Sequence, residues 1–206
     1  MTRLGFLIAR TLRDETALQC LSVPQSEILA DLAGKRIALI GNARALTESE
    51  HGAEIDAADL VIRINRAPMP AATSHGTRTD WLGLAVRLGD SDRTRINPGR
   101  VLWMSPKRKR LDWQTATSPG FYLHPQPDYQ ALKLRLAAPP TTGAMLIDLL
   151  ARSEMTRLDL YGFDFFASQS LSGRRTADQV PHDFDAEAAW ADALIHADPR
   201  LHLNRG

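Results

Sequence analysis

The segment from Arg36 to Pro68, RIALIGNARALTESEHGAEIDAADLVIRINRAP, constrains the fold more than any other stretch. It opens with the apolar run Ile37-Ala38-Leu39-Ile40, the pattern of a strand buried on both faces, and breaks at Gly41-Asn42. A second strand, from Asp59 to Ile64, ends on Asn65. A crossover between two such strands makes them parallel members of one sheet and sets both asparagines at its carboxyl edge, where open parallel sheets bind ligands. An amide side chain offers two donors and an acceptor, which suits a nucleotide's base, ribose or phosphate.

The remaining chain of 206 residues repeats this alternation. Residues 1–34 read as a helical preamble, with Ile28, Leu29 and Leu32 at helical spacing and Gly34 as a C-cap. Residues 35–206 read as one α/β domain. A short helix is expected over Ala43 to Glu50, a strand or helix start over Asp80 to Ala85, and strands over Val101 to Met104, Leu158 to Tyr161 and Leu201 to Leu203. Helices are expected over Ala144 to Arg152, behind a threonine cap, and over Asp185 to His196. Residues 67–79, 114–130 and 168–180 read as loops, the second because it carries Pro119, Gly120, Pro125 and Pro127. The expected architecture is a single Rossmann-like domain, a mostly parallel central sheet with helices on both faces. No GxGxxG fingerprint is present, so dinucleotide binding is not expected.

Composition narrows the function. Hydrophobic residues make up 44%, enough for a core, and the formal net charge is +1, which with no interleaved basic and aromatic pattern argues against nucleic acid. Cys20 is the single cysteine, so no internal disulfide or multi-cysteine zinc site can form. The apolar run Leu4 to Ala9 is broken by Arg10 and is too short for a secretory segment or a membrane span. A cytoplasmic protein is expected, touching a membrane only peripherally at its inner face. The run Lys107-Arg108-Lys109-Arg110 reads first as a solvated loop and second as a contact for an anionic acceptor or a membrane surface.

Three motifs in order resemble glycosyltransferase family 29, the eukaryotic-type sialyltransferases. Gly41-Asn42, Glu54-Ile55-Asp56 and Val61 to Pro68 resemble the large sialylmotif, with His75-Gly76-Thr77-Arg78-Thr79 similar to the stretch that follows it. Pro140-Thr141-Thr142-Gly143 through Asp159 to Phe163 resembles the small motif, and His182 to Glu187 the very small one. The resemblance runs from about Arg36 to the end, weakly between 80 and 138. It implies a fold of the GT-A-variant type, without the membrane anchor and stem of luminal members. The paired cysteines of those members are replaced by Ile37 and Met155, coherent with a cytoplasmic, bacterial-type relative. Ala43-Arg44-Ala45 stands where many members have Ser-Gly-Asn, and no third motif is evident between Phe163 and His182, where Arg174 or Arg175 would have to stand in.

The resemblance implies inverting transfer of sialic acid, or a related ulosonic acid such as Kdo, from a CMP-sugar to a hydroxyl of an acceptor glycan or glycolipid. His182 is the expected general base, since imidazole titrates near neutrality. Glu187, one turn into the next helix, would orient the histidine loop. Thr141, Thr142 and Gly143 open a helix whose free N–H groups favour an anion. Gly41, Asn42, Asn65 and Gly162 are expected around the nucleotide. A CMP donor leaves as a single phosphodiester, so no cofactor or metal is expected; Asp183-Phe184-Asp185 has DxD spacing but falls inside the histidine–glutamate motif. Arg44, Arg63, Arg66, Arg78 and Arg174 are candidates for the donor's carboxylate. The alternative is a catalytically silent CMP- or glycan-binding module on the same fold.

Overall fold

The computed structural model describes residues 1–164 and 182–204. The chain begins with three helices, α1 (Arg3–Leu12), α2 (Glu15–Gln19) and α3 (Gln25–Leu32). Then β1 (Arg36–Ile40), a 3₁₀ turn (Arg44–Glu48), α4 (Gly52–Asp56), β2 (Leu60–Ile64), α5 (Ala72–His75) and β3 (Trp81–Leu84) follow. The next elements are α6 (Asp90–Ile96), β4 (Arg100–Trp103), a second 3₁₀ turn (Arg108–Arg110), α7 (Trp113–Ala116), β5 (Tyr122–Leu123) and α8 (Gln126–Leu136). The described chain closes with α9 (Thr142–Ala151), β6 (Arg157–Tyr161), α10 (Phe184–Ala197) and β7 (Leu201–Asn204).

All seven strands among the described residues pair in parallel, in the order β5-β4-β3-β2-β1-β6-β7. The order reverses between β1 and β6, and such a reversal opens a crevice at the carboxyl edge of the sheet. Successive side chains point to opposite faces. Ile37 and Leu39 of β1, Ile62 of β2, Leu102 of β4 and Leu158 of β6 therefore join one core with α3, α8, α9 and the inner side of α10. Val61 and Ala38 face a second core with α4, while Leu82, Val101 and Trp103 face a third with α1, α2 and α7. Helices cover both faces, as a sheet buried on both sides requires.

Strand and helix positions agree with expectation to within a residue or so, and the segment at residue 80 is a strand. The preamble is helical, as expected, and the structure refines it and corrects other readings. The N-terminal helical stretch is three helices: Asp14 caps α2 by accepting from the Ala17 amide (3.0 Å), and Pro24 starts α3. Its C-cap is Ala33, while Gly34 takes φ +71° and donates its amide to the Glu154 carbonyl (2.8 Å). Residues 114–130 are not irregular, because they complete α7, form β5 and start α8. Pro125 is the N-cap of α8 and Pro127 lies in its first turn, where a missing N–H costs nothing. The helix expected over Ala43 to Glu50 is a 3₁₀ turn, and α5 interrupts the loop of residues 67–79. The expected loop at 168–180 lies outside the described residues.

Candidate functional site

The loops after β1 and β6 meet at the point where the strand order reverses. Gly41 donates its amide to the Tyr161 carbonyl (2.7 Å), and the Ala43 amide reaches the Gly162 carbonyl (3.1 Å). The approach is so close that a Cβ on Gly41 would lie 2.2 Å from the Gly162 oxygen. Gly162 itself turns with φ +67°, a region open to glycine at little cost. The glycines singled out in the sequence thus let two loops lie against each other. Asn42 is buried within this junction.

Asn65 stands at the end of β2 with φ +53°, a left-handed conformation that asparagine tolerates. Its Oδ1 accepts from the Ala85 amide (2.9 Å) and its Nδ2 points to Thr142 Oγ1 at 3.5 Å. The side chain therefore joins the ends of β2 and β3 to the start of α9.

Thr141 is the N-cap of α9, its hydroxyl accepting from the Ala144 amide (3.1 Å). Thr142 and Gly143 follow, both buried. A Cβ on Gly143 would lie 2.6 Å from Cε1 of Phe163, so this glycine leaves room for the ring that follows Gly162.

His182 and Glu187 come to this same helix start. Glu187 is 3% exposed, and its two carboxylate oxygens accept from the amide (2.6 Å) and the hydroxyl (2.8 Å) of Thr141. Burial pushes its pKa up to about 7, with Asp183 adding to the rise and the Thr141 hydrogen bonds opposing it. His182 is half-buried, with Nδ1 2.7 Å from the Pro139 carbonyl. A carbonyl can only accept, so Nδ1 carries a proton, and in the neutral ring the lone pair is on Nε2. Asp183 accepts from the Ala186 amide (2.9 Å) as the N-cap of α10, which accounts for one acid of the DxD spacing. Imidazole, carboxylate and amide are linked through Pro139, Thr141 and Thr142, so they share one edge of the sheet.

The arginines proposed for an acidic ligand divide. Arg63 is buried in β2, donating to the carbonyls of Arg78 (2.8 Å) and His75 (2.6 Å) and to Thr79 Oγ1 (3.1 Å). Arg78 donates to the carbonyls of Asp56 (2.7 Å) and Ala58 (2.8 Å) and pairs with Asp80 (2.8 Å). Both serve the fold. Arg66 is exposed, near Asp92. Arg174 and Arg175 lie outside the described residues. Sequence reading gives no role to the Pro139 carbonyl, since a backbone acceptor leaves no side-chain signal, and names Phe163 only as the end of the stretch that resembles the small motif.

A sequence model described as Glycosyltransferase family 29 (sialyltransferase) matches residues 7–86, which hold the Gly41-Asn42 loop and Asn65. A mammalian sialyltransferase in complex with Gal-beta-1-3GalNAc-ortho-nitrophenol superposes with a TM-score of 0.64 at 19% identity, over 92% of this chain and 77% of that one. The family model covers less than half of the chain, and the superposition shows a shared fold. The chain also shares its fold with the sialyltransferase CstII from Campylobacter jejuni in complex with cytidine-5'-monophosphate (TM-score 0.56, 11% identity, 83% of this chain and 80% of that one). A CstII complex with trisaccharide acceptor and CMP gives a TM-score of 0.54 at 12% identity, over 82% and 80%. No curated protein sequence matches this chain.

Proposed function

We propose that this protein is a family 29 glycosyltransferase that transfers a CMP-activated ulosonic acid, sialic acid or Kdo, to a hydroxyl of an acceptor glycan, with inversion and with His182 as general base. The carrying observation is the His182–Pro139 hydrogen bond of 2.7 Å, which engages Nδ1 and makes Nε2 the accepting nitrogen of the neutral ring, near the start of α9. In the reaction the acceptor oxygen forms a bond to the anomeric carbon as the bond to the CMP phosphate breaks. The hydroxyl proton passes to His182 Nε2, and the electron pair leaves on CMP. Base catalysis of this kind contributes roughly 10²–10⁴-fold.

The chain's other residues serve the leaving group. The loops at Gly41-Asn42 and Gly162 border the crevice at the strand reversal, in keeping with a cytidine site. The Thr142 and Gly143 end of α9 carries the positive end of the helix dipole, which favours the departing phosphate. Glu187 fixes that end through Thr141 and thereby the spacing between base and phosphate site. The solved relatives support the two substrate classes: CstII is seen with CMP, and the mammalian enzyme with a disaccharide derivative. Departure of CMP builds up less charge than departure of a diphosphate, so the reading includes no metal and no cofactor. It also keeps the protein on the cytoplasmic side, with a glycan or glycolipid acceptor.

Incubation with CMP-Neu5Ac and CMP-Kdo, with and without a panel of acceptors and with and without chelator, tests this reading. CMP release that depends on acceptor and survives chelation is expected. CMP binding without turnover on every donor would leave a silent binding module, the reading that Ala43-Arg44-Ala45 favours. Loss of release on chelation would overturn the metal-free step.

A further inference from the structure

Large exposed apolar side chains gather on one helix. Leu4 (68% exposed), Leu7, Ile8 (52%) and Leu12 (73%) form a ridge along α1, extended by Met1, while Phe6 and Ala9 anchor its opposite side in the core. Among the described residues the one other such side chain is Leu134 on α8. The helix is therefore apolar on the side that packs and again on the side that faces outward. A helix apolar on both sides is normally covered on both.

A basic cleft lies at the C-terminal end of this helix, where its cap Arg13 follows Leu12. Arg10 Nη1 donates to the Leu111 carbonyl (2.9 Å), which fixes α1 to the 3₁₀ turn Arg108–Arg110. Arg108 folds inward, held by Glu15 (2.9 Å) and the carbonyls of Ser105 (2.7 Å) and His124 (2.6 Å). That inward turn leaves Lys107, Lys109 and Arg110 outside. With Arg13 they line a cavity of about 570 Å³, whose one acid, Glu15, is already paired with Arg108. The turn follows β4, so the cleft lies toward the same carboxyl edge of the sheet as the candidate site.

We propose that α1 and this cleft form a docking surface for an anionic lipid bilayer. The helix lies in the interface with Leu4, Ile8 and Leu12 among the acyl chains, and Arg13, Lys107, Lys109 and Arg110 meet lipid phosphates. An apolar helical face beside a cluster of cations is the combination that anionic membranes select. A second copy is the weaker occupant, since a two-fold contact along the ridge would bring two basic clefts together. The proposal is independent of the transferase reading, because its probe carries neither donor nor acceptor.

The test is co-sedimentation with vesicles of phosphatidylcholine alone or with roughly one third phosphatidylserine, where anionic vesicles are expected to bind ~10-fold or more tightly. Added salt should weaken that binding. Lys107→Glu with Lys109→Glu and Arg110→Glu should lose ~10-fold or more of it. Leu4→Ser with Ile8→Ser should also lose roughly 10-fold, with an unchanged melting temperature, because these side chains are largely exposed in the fold. Equal binding to both vesicles, or no binding to either, overturns the proposal. So does a dimer in light scattering that the serine variants disperse while vesicle binding is absent. CMP release measured separately on a soluble donor keeps failure of this surface distinct from failure of the transferase reading.

Discussion

Glu187 and Thr141 are joined twice, the carboxylate accepting from the threonine amide at 2.6 Å and from its hydroxyl at 2.8 Å. One acid on α10 thereby holds the N-cap of α9. The start of the helix that faces the strand reversal is set by a residue far along the chain.

That acid gives stability a pH dependence with a defined sign. Its pKa in the folded protein, about 7, lies above the ordinary 4.5, so the folded state holds the proton more tightly. The contribution is complete below about pH 4.5, is lost as pH rises through about 7, and is on the order of 3 kcal/mol. Asp56, Asp128, Asp159 and Asp198 have lowered pKa values and act oppositely, losing stability in acid below the usual carboxylate range. Burial lowers the pKa of His124 to about 4 and also lowers that of His75, and both oppose Glu187 below the ordinary 6.5. The Glu187 contribution is therefore read as a difference: in urea unfolding between about pH 4.5 and 8 the wild type should lose stability relative to Glu187→Gln as pH rises. Equal slopes in the two proteins would contradict the assignment.

Gly41→Ala should be the costliest of three glycine changes. Its Cβ would meet a backbone oxygen at 2.2 Å, and neither loop can yield without breaking the hydrogen bonds between them. A loss of at least ~2 kcal/mol is expected. At Gly143 the obstacle is the Phe163 ring, which can turn aside, so about 1 kcal/mol is expected. Gly89 has open space around it, and its alanine variant should stay within ~0.5 kcal/mol. Thermal melts of the three variants measure this ranking.

Arg63 should behave as a fold residue. Burial lowers its pKa to about 10, with Asp56 and Asp80 opposing, and its fork serves acceptors in three separate residues. Arg63→Met leaves buried carbonyls unpaired and should cost about 3 kcal/mol or more. Arg63→Lys should rescue little, because an ammonium cannot reproduce the fork. A stable Arg63→Met protein with donor binding selectively lost would instead return this arginine to the ligand.

How much of this was legible in the sequence follows from local signals. Ile37 to Ile40 declares itself as an apolar run cut off by glycine, Leu158 to Tyr161 as a strand stopped by Gly162, and the asparagine ending β2 marks the carboxyl edge. Residues 114–130 hide their elements because Pro125 and Pro127 look like breakers until α8 is seen to begin there, and because β5, two residues long, is too short to show a period. Asp14 and Pro24 divide the N-terminal helices through capping geometry that periodicity does not register. In the site, residue types were legible but partners were not. Nothing near Glu187 in sequence announces Thr141, and nothing near Arg63 announces that its guanidinium turns into the fold.

The most direct measurement compares wild type with His182→Ala for CMP affinity and for acceptor-dependent CMP release from CMP-Neu5Ac and CMP-Kdo. CMP should bind equally to both proteins, while turnover in the variant falls about 10²-fold or more. Turnover within a few-fold of wild type in a variant that still binds CMP would remove His182 from the reaction, and with it the proposed transfer step.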